Sequence, residues 1–163
     1  MPSVLLLRHG KSDWTAEYGA DAERPLNKRG EKAARRVGRY LADAGLLPDR
    51  ALTSTAVRAK ETLRRAMKAA EWGGPVHETE SLYEASPDTV TALLRALPDD
   101  TALALVVGHE PTLSDTVHRL TGANVDFPTA ALARIDFEGE TWRDVRAGAG
   151  TLALLLPPRL LPK

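Results

Sequence analysis

The chain contains no cysteine. That absence excludes a disulfide framework, a thiolate zinc site and a cysteine nucleophile. An excess of charge is missing too: Lys+Arg and Asp+Glu each number 22, for a formal net charge of zero. Such a balance implies no general polyanion- or membrane-binding surface. Neither nucleic acid nor membrane is therefore expected as a partner, and any anion site must be a local arrangement. No apolar run is long enough to span a bilayer. No basic region precedes the short apolar run at the amino terminus, so it does not read as a signal peptide, and a cytoplasmic location is expected. There is no internal repeat or low-complexity segment. What is there is 163 residues with 43% hydrophobic and 27% charged content, which suits a single domain over residues 1–163 with a sizeable core.

The most distinctive stretch is Val4-Leu5-Leu6-Leu7, which runs directly into Arg8-His9-Gly10-Lys11. A continuous apolar run bounded by charge and glycine suits a strand buried on both faces, as in the middle of a parallel sheet. Ala102 to Val107 repeats the pattern and ends in Gly108-His109-Glu110-Pro111. Between them, Asn27 is placed to cap a helix whose apolar face is Ala33, Ala34, Val37, Leu41 and Ala44, ended by Gly45 and Pro48. Ala51-Leu52-Thr53 predicts a short strand. Ser54 or Thr55 is expected to cap the next helix, whose stripe is Ala56, Ala59, Leu63, Ala66, Met67 and Ala70. Arg58 falls in the first turn of that helix and off its stripe.

Further on, a short strand is predicted over Val76 to Thr79. Ser86-Pro87-Asp88 opens a helix with Val90, Leu93, Leu94 and Leu97 buried. Leu113, Val117 and Leu120 mark a last helix, closed by Gly122. Ala131 to Phe137 and Thr151 to Leu156 read as strands, and Pro157-Pro158-Arg159 as an irregular tail. Strands alternating with helices imply βαβ units. The expected fold is α/β, a three-layer α/β/α sandwich on a mainly parallel sheet, with the last two strands a possible antiparallel edge.

Ligands in open α/β sheets bind beyond the carboxyl ends of strands. Taken alone, Arg8-His9-Gly10 is equally a solvated strand end with a chance histidine. Two distant apolar strands that both end in histidine are less easily dismissed. A parallel sheet would bring Arg8, His9, His109 and, at a helix start, Arg58 to one edge. Helix N-termini and arginine forks both suit phosphoryl oxygens. A metal is the rival for two histidines, but cysteine and an HExxH pattern are absent, and neighbouring arginines repel cations. His77 and His118 read as solvated or packed residues.

These residues carry a family resemblance. Leu5-Leu6-Leu7-Arg8-His9-Gly10 resembles the signature of the histidine phosphatase superfamily, whose other members include phosphoglycerate mutases. Arg24-Pro25-Leu26-Asn27-Lys28-Arg29-Gly30, Thr53 through Thr62, and Val107-Gly108-His109-Glu110-Pro111 resemble the later motifs in the same order. Their spacing in a short chain is similar to the compact SixA-like branch, the phosphohistidine phosphatases.

The resemblance implies that His9 is a nucleophile, transiently phosphorylated, and that Arg8, Arg58 and His109 hold the phosphoryl oxygens. Arg24 matches a further phosphate contact. Asp21 is a candidate proton donor, or else a plain loop carboxylate. Larger family members place a glutamate in an insertion that this chain lacks, which leaves Glu84 as the rival donor, or as an exposed loop carboxylate. Pro128-Thr129-Ala130 resembles a segment near the active site, so Thr129 or the Ala130 amide is a candidate phosphate contact. No metal or cofactor is required, because the arginines and His109 supply the charge. The implied substrate is a phosphohistidine, on a protein. A small-molecule phosphate ester and a non-catalytic phosphate-binding module are the alternatives. Few residues remain to build a lid, so an open, shallow pocket is expected.

Overall fold

The first apolar run forms strand β1 (Ser3–Arg8), in which Val4, Leu5, Leu6 and Leu7 are wholly buried. In the computed structural model, which describes residues Met1–Lys163, the elements that follow are α1 (Lys28–Asp43), β2 (Arg50–Ser54), α2 (Val57–Ala69), β3 (Val76–Thr79), α3 (Pro87–Arg95), β4 (Leu103–Gly108), α4 (Thr112–Thr121), β5 (Leu132–Phe137) and β6 (Gly150–Leu156). One six-stranded sheet has the order β3-β2-β4-β1-β5-β6. β1 to β4 run parallel, while β5 pairs antiparallel with both β1 and β6. The fold is therefore the expected α/β type, and its antiparallel edge is two strands wide.

Successive side chains of a strand point to opposite faces, so a strand covered on both sides must be apolar throughout. Val4, Leu6 and Val106 face α3 and α4, packing with Val90, Leu94, Leu113 and Val117. Leu5, Leu7, Leu105 and Val107 face α1 and α2, packing with Val37, Leu41, Ala59 and Leu63. Two cores separated by one sheet make the three layers.

The element ends follow local chemistry. Asn27 Oδ1 accepts the Gly30 N–H at 2.8 Å, and Ser86 Oγ accepts the Thr89 N–H at 3.2 Å. Gly122 closes α4 with φ +82°, a backbone that side-chain-bearing residues rarely adopt. Three expectations need correction. The buried face of α1 is Gly30, Ala34, Val37, Gly38 and Leu41; Ala33 is half-buried at its flank and Ala44 is exposed. The face is displaced because α1 meets α2 through a glycine: a Cβ on Gly38 would lie 1.9 Å from the Ala66 carbonyl oxygen. The α2 N-cap is Ala56, not Ser54 or Thr55. The tail is not irregular: Pro158–Leu160 forms a 3-10 turn, and Leu161, 7% exposed, joins the core beside α1.

Candidate active site

Parallel β1, β2 and β4 deliver Arg8-His9, Ser54 and Gly108-His109 to one sheet edge, where the His9 N–H donates to the Gly108 carbonyl at 3.1 Å. Arg58 enters from the first turn of α2. Arg8, His9, Arg58 and His109 line a concavity of about 460 Å³ that also includes Arg24, Glu110 and Thr129. Gly10 has no room for a side chain, since a Cβ would sit 2.8 Å from the Gly30 carbonyl oxygen. Its N–H donates to Thr62 Oγ1 at 2.9 Å, and that hydroxyl donates to the Arg58 carbonyl at 2.7 Å. Thr62 thus ties the turn after β1 to the first turn of α2.

The hydrogen bond of His9 defines which of its nitrogens carries the proton. His9 Nδ1 lies 2.7 Å from the Gly10 carbonyl oxygen, which can only accept, so Nδ1 is protonated and Nε2 keeps its lone pair. Burial pushes the His9 pKa down to about 3; the nearby charges of His109, Arg58 and Arg8 add to this, and the Gly10 carbonyl opposes it. His109 Nε2 lies 2.8 Å from Ser54 Oγ, which itself accepts the Ala56 N–H at 3.2 Å. The Ser54 hydroxyl thus holds the His109 ring by its Nε2 and turns Nδ1 away from any protein partner. Burial, then Arg58, lowers the His109 pKa to about 4, against the pull of Asp21. Both rings are neutral at neutral pH, with centroids 5.2 Å apart.

The arginines are held by separate anchors. Arg8 Nη1 donates to the Phe127 carbonyl at 3.0 Å. Arg24 donates to Ser12 Oγ at 2.7 Å and lies 3.5 Å over the Trp14 ring. Asp21 joins Arg24 to Arg58: Oδ1 is 2.9 Å from Arg24 Nη2 and Oδ2 is 3.0 Å from Arg58 Nη2. The Asp21 carbonyl accepts Arg58 Nη1 at 2.9 Å, and Tyr83 Oη donates to Asp21 Oδ2 at 2.6 Å. Nε of Arg8, Arg24 and Arg58 and Nδ1 of His109 are buried without a partner in the protein. A buried donor left unpaired costs about 1–3 kcal/mol. Three of these are guanidinium N–H groups, and the fixed positive charge they carry suits an anion. No group of three histidine, cysteine or carboxylate side chains converges that could hold a metal ion.

The structure brings Arg8, His9, Arg24, Arg58, His109 and Thr129 around one concavity, with Asp21 bound to two of its arginines. Two expectations change. The Tyr83 hydroxyl, with Arg58 and Arg24, holds the Asp21 carboxyl below its ordinary range, so near neutrality it is an ion with no proton to donate. The Ala130 amide does not face the pocket: it donates to the Arg8 and His9 carbonyls at 3.1 and 3.0 Å, from a residue with φ +59°. Glu84 is exposed and does not line the concavity. His77 is exposed on edge strand β3, and exposed His118 sits 3.3 Å from the Ala123 carbonyl oxygen. The sequence reading missed Ser54 and Thr62 as supports, together with Ser12, Trp14 and Tyr83. Thr62, one turn after Arg58, was accessible from helical spacing; Tyr83 and Trp14 carried no local signal.

The histidine phosphatase superfamily (branch 1) matches residues 4–93. An uncharacterized protein of Mycobacterium leprae is 33% identical, over 94% of this chain and 100% of its own length. A 2,3-bisphosphoglycerate-dependent phosphoglycerate mutase of Streptomyces avermitilis is 44% identical over 50% of this chain, but that segment is only 33% of the mutase. A solved structure from Agrobacterium tumefaciens, assigned as the phosphohistidine phosphatase SixA, superimposes with a TM-score of 0.83 at 29% identity, covering 97% of this chain and 99% of that one. The matched segment holds both the Arg8-His9-Gly10 turn and Arg58, and the shared fold carries the strand end that presents His109. The chain belongs to the histidine phosphatase superfamily and, within it, is SixA-like.

Proposed function

We propose that this protein is a metal-independent phosphatase that acts through a phosphohistidine intermediate on His9, and that its substrate is a phosphohistidine carried by a protein. One observation carries the reading: the Gly10 carbonyl holds the proton of His9 on Nδ1 and leaves the Nε2 lone pair available beside Arg8, Arg58 and His109. In the first step Nε2 attacks phosphorus, the new N–P bond forms and the substrate's P–N bond breaks in line. Arg8, Arg24, Arg58 and His109 hold the equatorial oxygens. Water then attacks the phosphorylated His9, releasing phosphate and restoring the neutral ring.

The state of Asp21 supports a phosphohistidine over an alkyl ester. An alkoxide leaving group needs a proton from the enzyme, and the carboxyl nearest the arginines is an ion. A protonated imidazole leaves with far less help. The name assigned to the Agrobacterium structure supports the same substrate class. The test compares kcat/KM on a phosphohistidine protein with a panel of phosphate esters, and traps label on the enzyme. The expected result is a preference for phosphohistidine, acid-labile label on wild type, and no turnover by His9→Ala. Label on another residue with His9→Ala still active, or a sugar phosphate preferred by orders of magnitude, would refute the reading.

A further inference from the structure

α1 carries a row of cations that the phosphatase chemistry does not use. Arg29, Lys32 and Arg36 lie at i, i+3 and i+7, so they share one helix face. With Arg159 and Lys163 they line a concavity of about 460 Å³ whose lining includes no Asp or Glu side chain. None of the five is in an ion pair, a state they share with Arg35, Arg39, Arg95 and Arg146; what sets them apart is that they converge on one concavity. Glu31, the acidic residue in the first turn of α1, is 3.2 Å from Arg65 of α2 and so serves the other flank. Arg159 is held here because buried Leu161 pins the C-terminal turn beside α1. Like charges gathered this way repel one another, and an anionic partner would relieve that.

The position of the patch matters as much as its charge. β6 runs in the same direction as β1, so the turn after it emerges on the catalytic edge of the sheet. α1 starts on that edge too, where the Asn27 N–H donates to the Lys11 carbonyl at 2.9 Å. The surface between is continuous. Pro128 lines both the catalytic concavity and a groove of about 380 Å³ walled by Leu155, Pro157 and Leu160. Arg159 lines both that groove and the basic concavity.

We infer that the basic concavity on α1 docks an acidic face of the phosphoprotein while its phosphoryl group reaches His9. The inference rests on the phosphatase reading and adds a recognition surface to it. None of the five cations lines the catalytic concavity, so a ligand that touches both must span the groove between them. The patch is also a local departure from a chain with no net charge, as expected of a surface selected for steering rather than for general polyanion binding.

The test uses a phosphohistidine peptide joined by a flexible linker to a hexaglutamate tail, and the same peptide with a hexaserine tail. At low salt the glutamate tail should raise kcat/KM by about tenfold, and high salt should remove the advantage. The triple reversal R29E/K32E/R36E and the milder K32Q/R36Q should lose the preference, while kcat/KM on p-nitrophenyl phosphate stays within about twofold, which shows that the fold and pocket survive. Equal kcat/KM for the two tails on wild type, or a preference that survives the reversal, would overturn the docking site and leave the phosphatase reading intact. If only the ester is hydrolysed, the phosphohistidine reading fails, and anisotropy of a fluorescent hexaglutamate peptide then decides the docking claim. Binding lost in the triple variant supports it, and absent or unchanged binding overturns it. Tighter binding of a single-stranded oligonucleotide than of the peptide would also overturn it.

Discussion

Acid should weaken the fold through the two active-site histidines, and the effect can be worked out from their burial. Burial lowers His9 from 6.5 to about 3 and His109 from 6.5 to about 4. Below pH 6.5 the unfolded chain binds two protons that the folded chain refuses, so the histidines' contribution is fully present above that pH and is lost as pH falls. The loss from His109 ends near pH 4 and that from His9 near pH 3. Each group contributes a slope of up to about 1.4 kcal/mol per pH unit. Between pH 6 and 5, where titration of the unfolded chain is nearly complete, the two together should cost about 2 kcal/mol, a large share of a typical ~5–15 kcal/mol. Asp21, lowered from 3.8, contributes its loss only below that window. Urea unfolding at pH 7, 6 and 5 measures the slope. His9→Asn or His109→Asn should roughly halve it, and the double variant should nearly flatten it. A slope unchanged by both substitutions would refute the assignment of neutral, buried rings.

Four further outcomes follow from the site. Arg58→Ala should lower kcat/KM by about two orders of magnitude, or roughly 3 kcal/mol of transition-state binding; a change under about threefold would place Arg58 outside the site. Asp21→Asn should lower kcat/KM by roughly tenfold, equally for phosphohistidine and for an alkyl ester, because it loosens Arg24 and Arg58. A loss confined to the ester would restore Asp21 as a proton donor. Gly10→Ala should destabilise the fold by about 1–3 kcal/mol in denaturant titration, because its Cβ meets backbone that cannot yield; unchanged stability would show that the turn after β1 can move. Activity should survive EDTA, and loss restored by a divalent cation would overturn the metal-independent mechanism.

What could be read from the sequence alone was whatever depends on neighbours a few residues away. The apolar runs in β1 and β4, the caps at Asn27 and Ser86, the stripe of α2 and the glycine closing α4 are local patterns, and they were enough to imply a mainly parallel sheet with one antiparallel edge. A parallel sheet also obliges Arg8, His9, Arg58 and His109 to gather at one edge, whatever the details of packing. What a given polar atom does there depends on partners far away in the chain. Ser54 reads as a helix cap, but its hydroxyl serves His109, 55 residues on. Asp21 reads as a loop carboxylate and candidate proton donor, yet Tyr83 and Arg58, 62 and 37 residues away, bind its carboxylate and make it a strut between arginines. The Ala130 amide is consumed by the carbonyls of Arg8 and His9, and the buried face of α1 is set by a glycine against Ala66. Sequence pattern thus determined the fold and the set of reactive groups. Tertiary structure decided their protonation and orientation, because hydrogen bonding and desolvation act through space rather than along the chain.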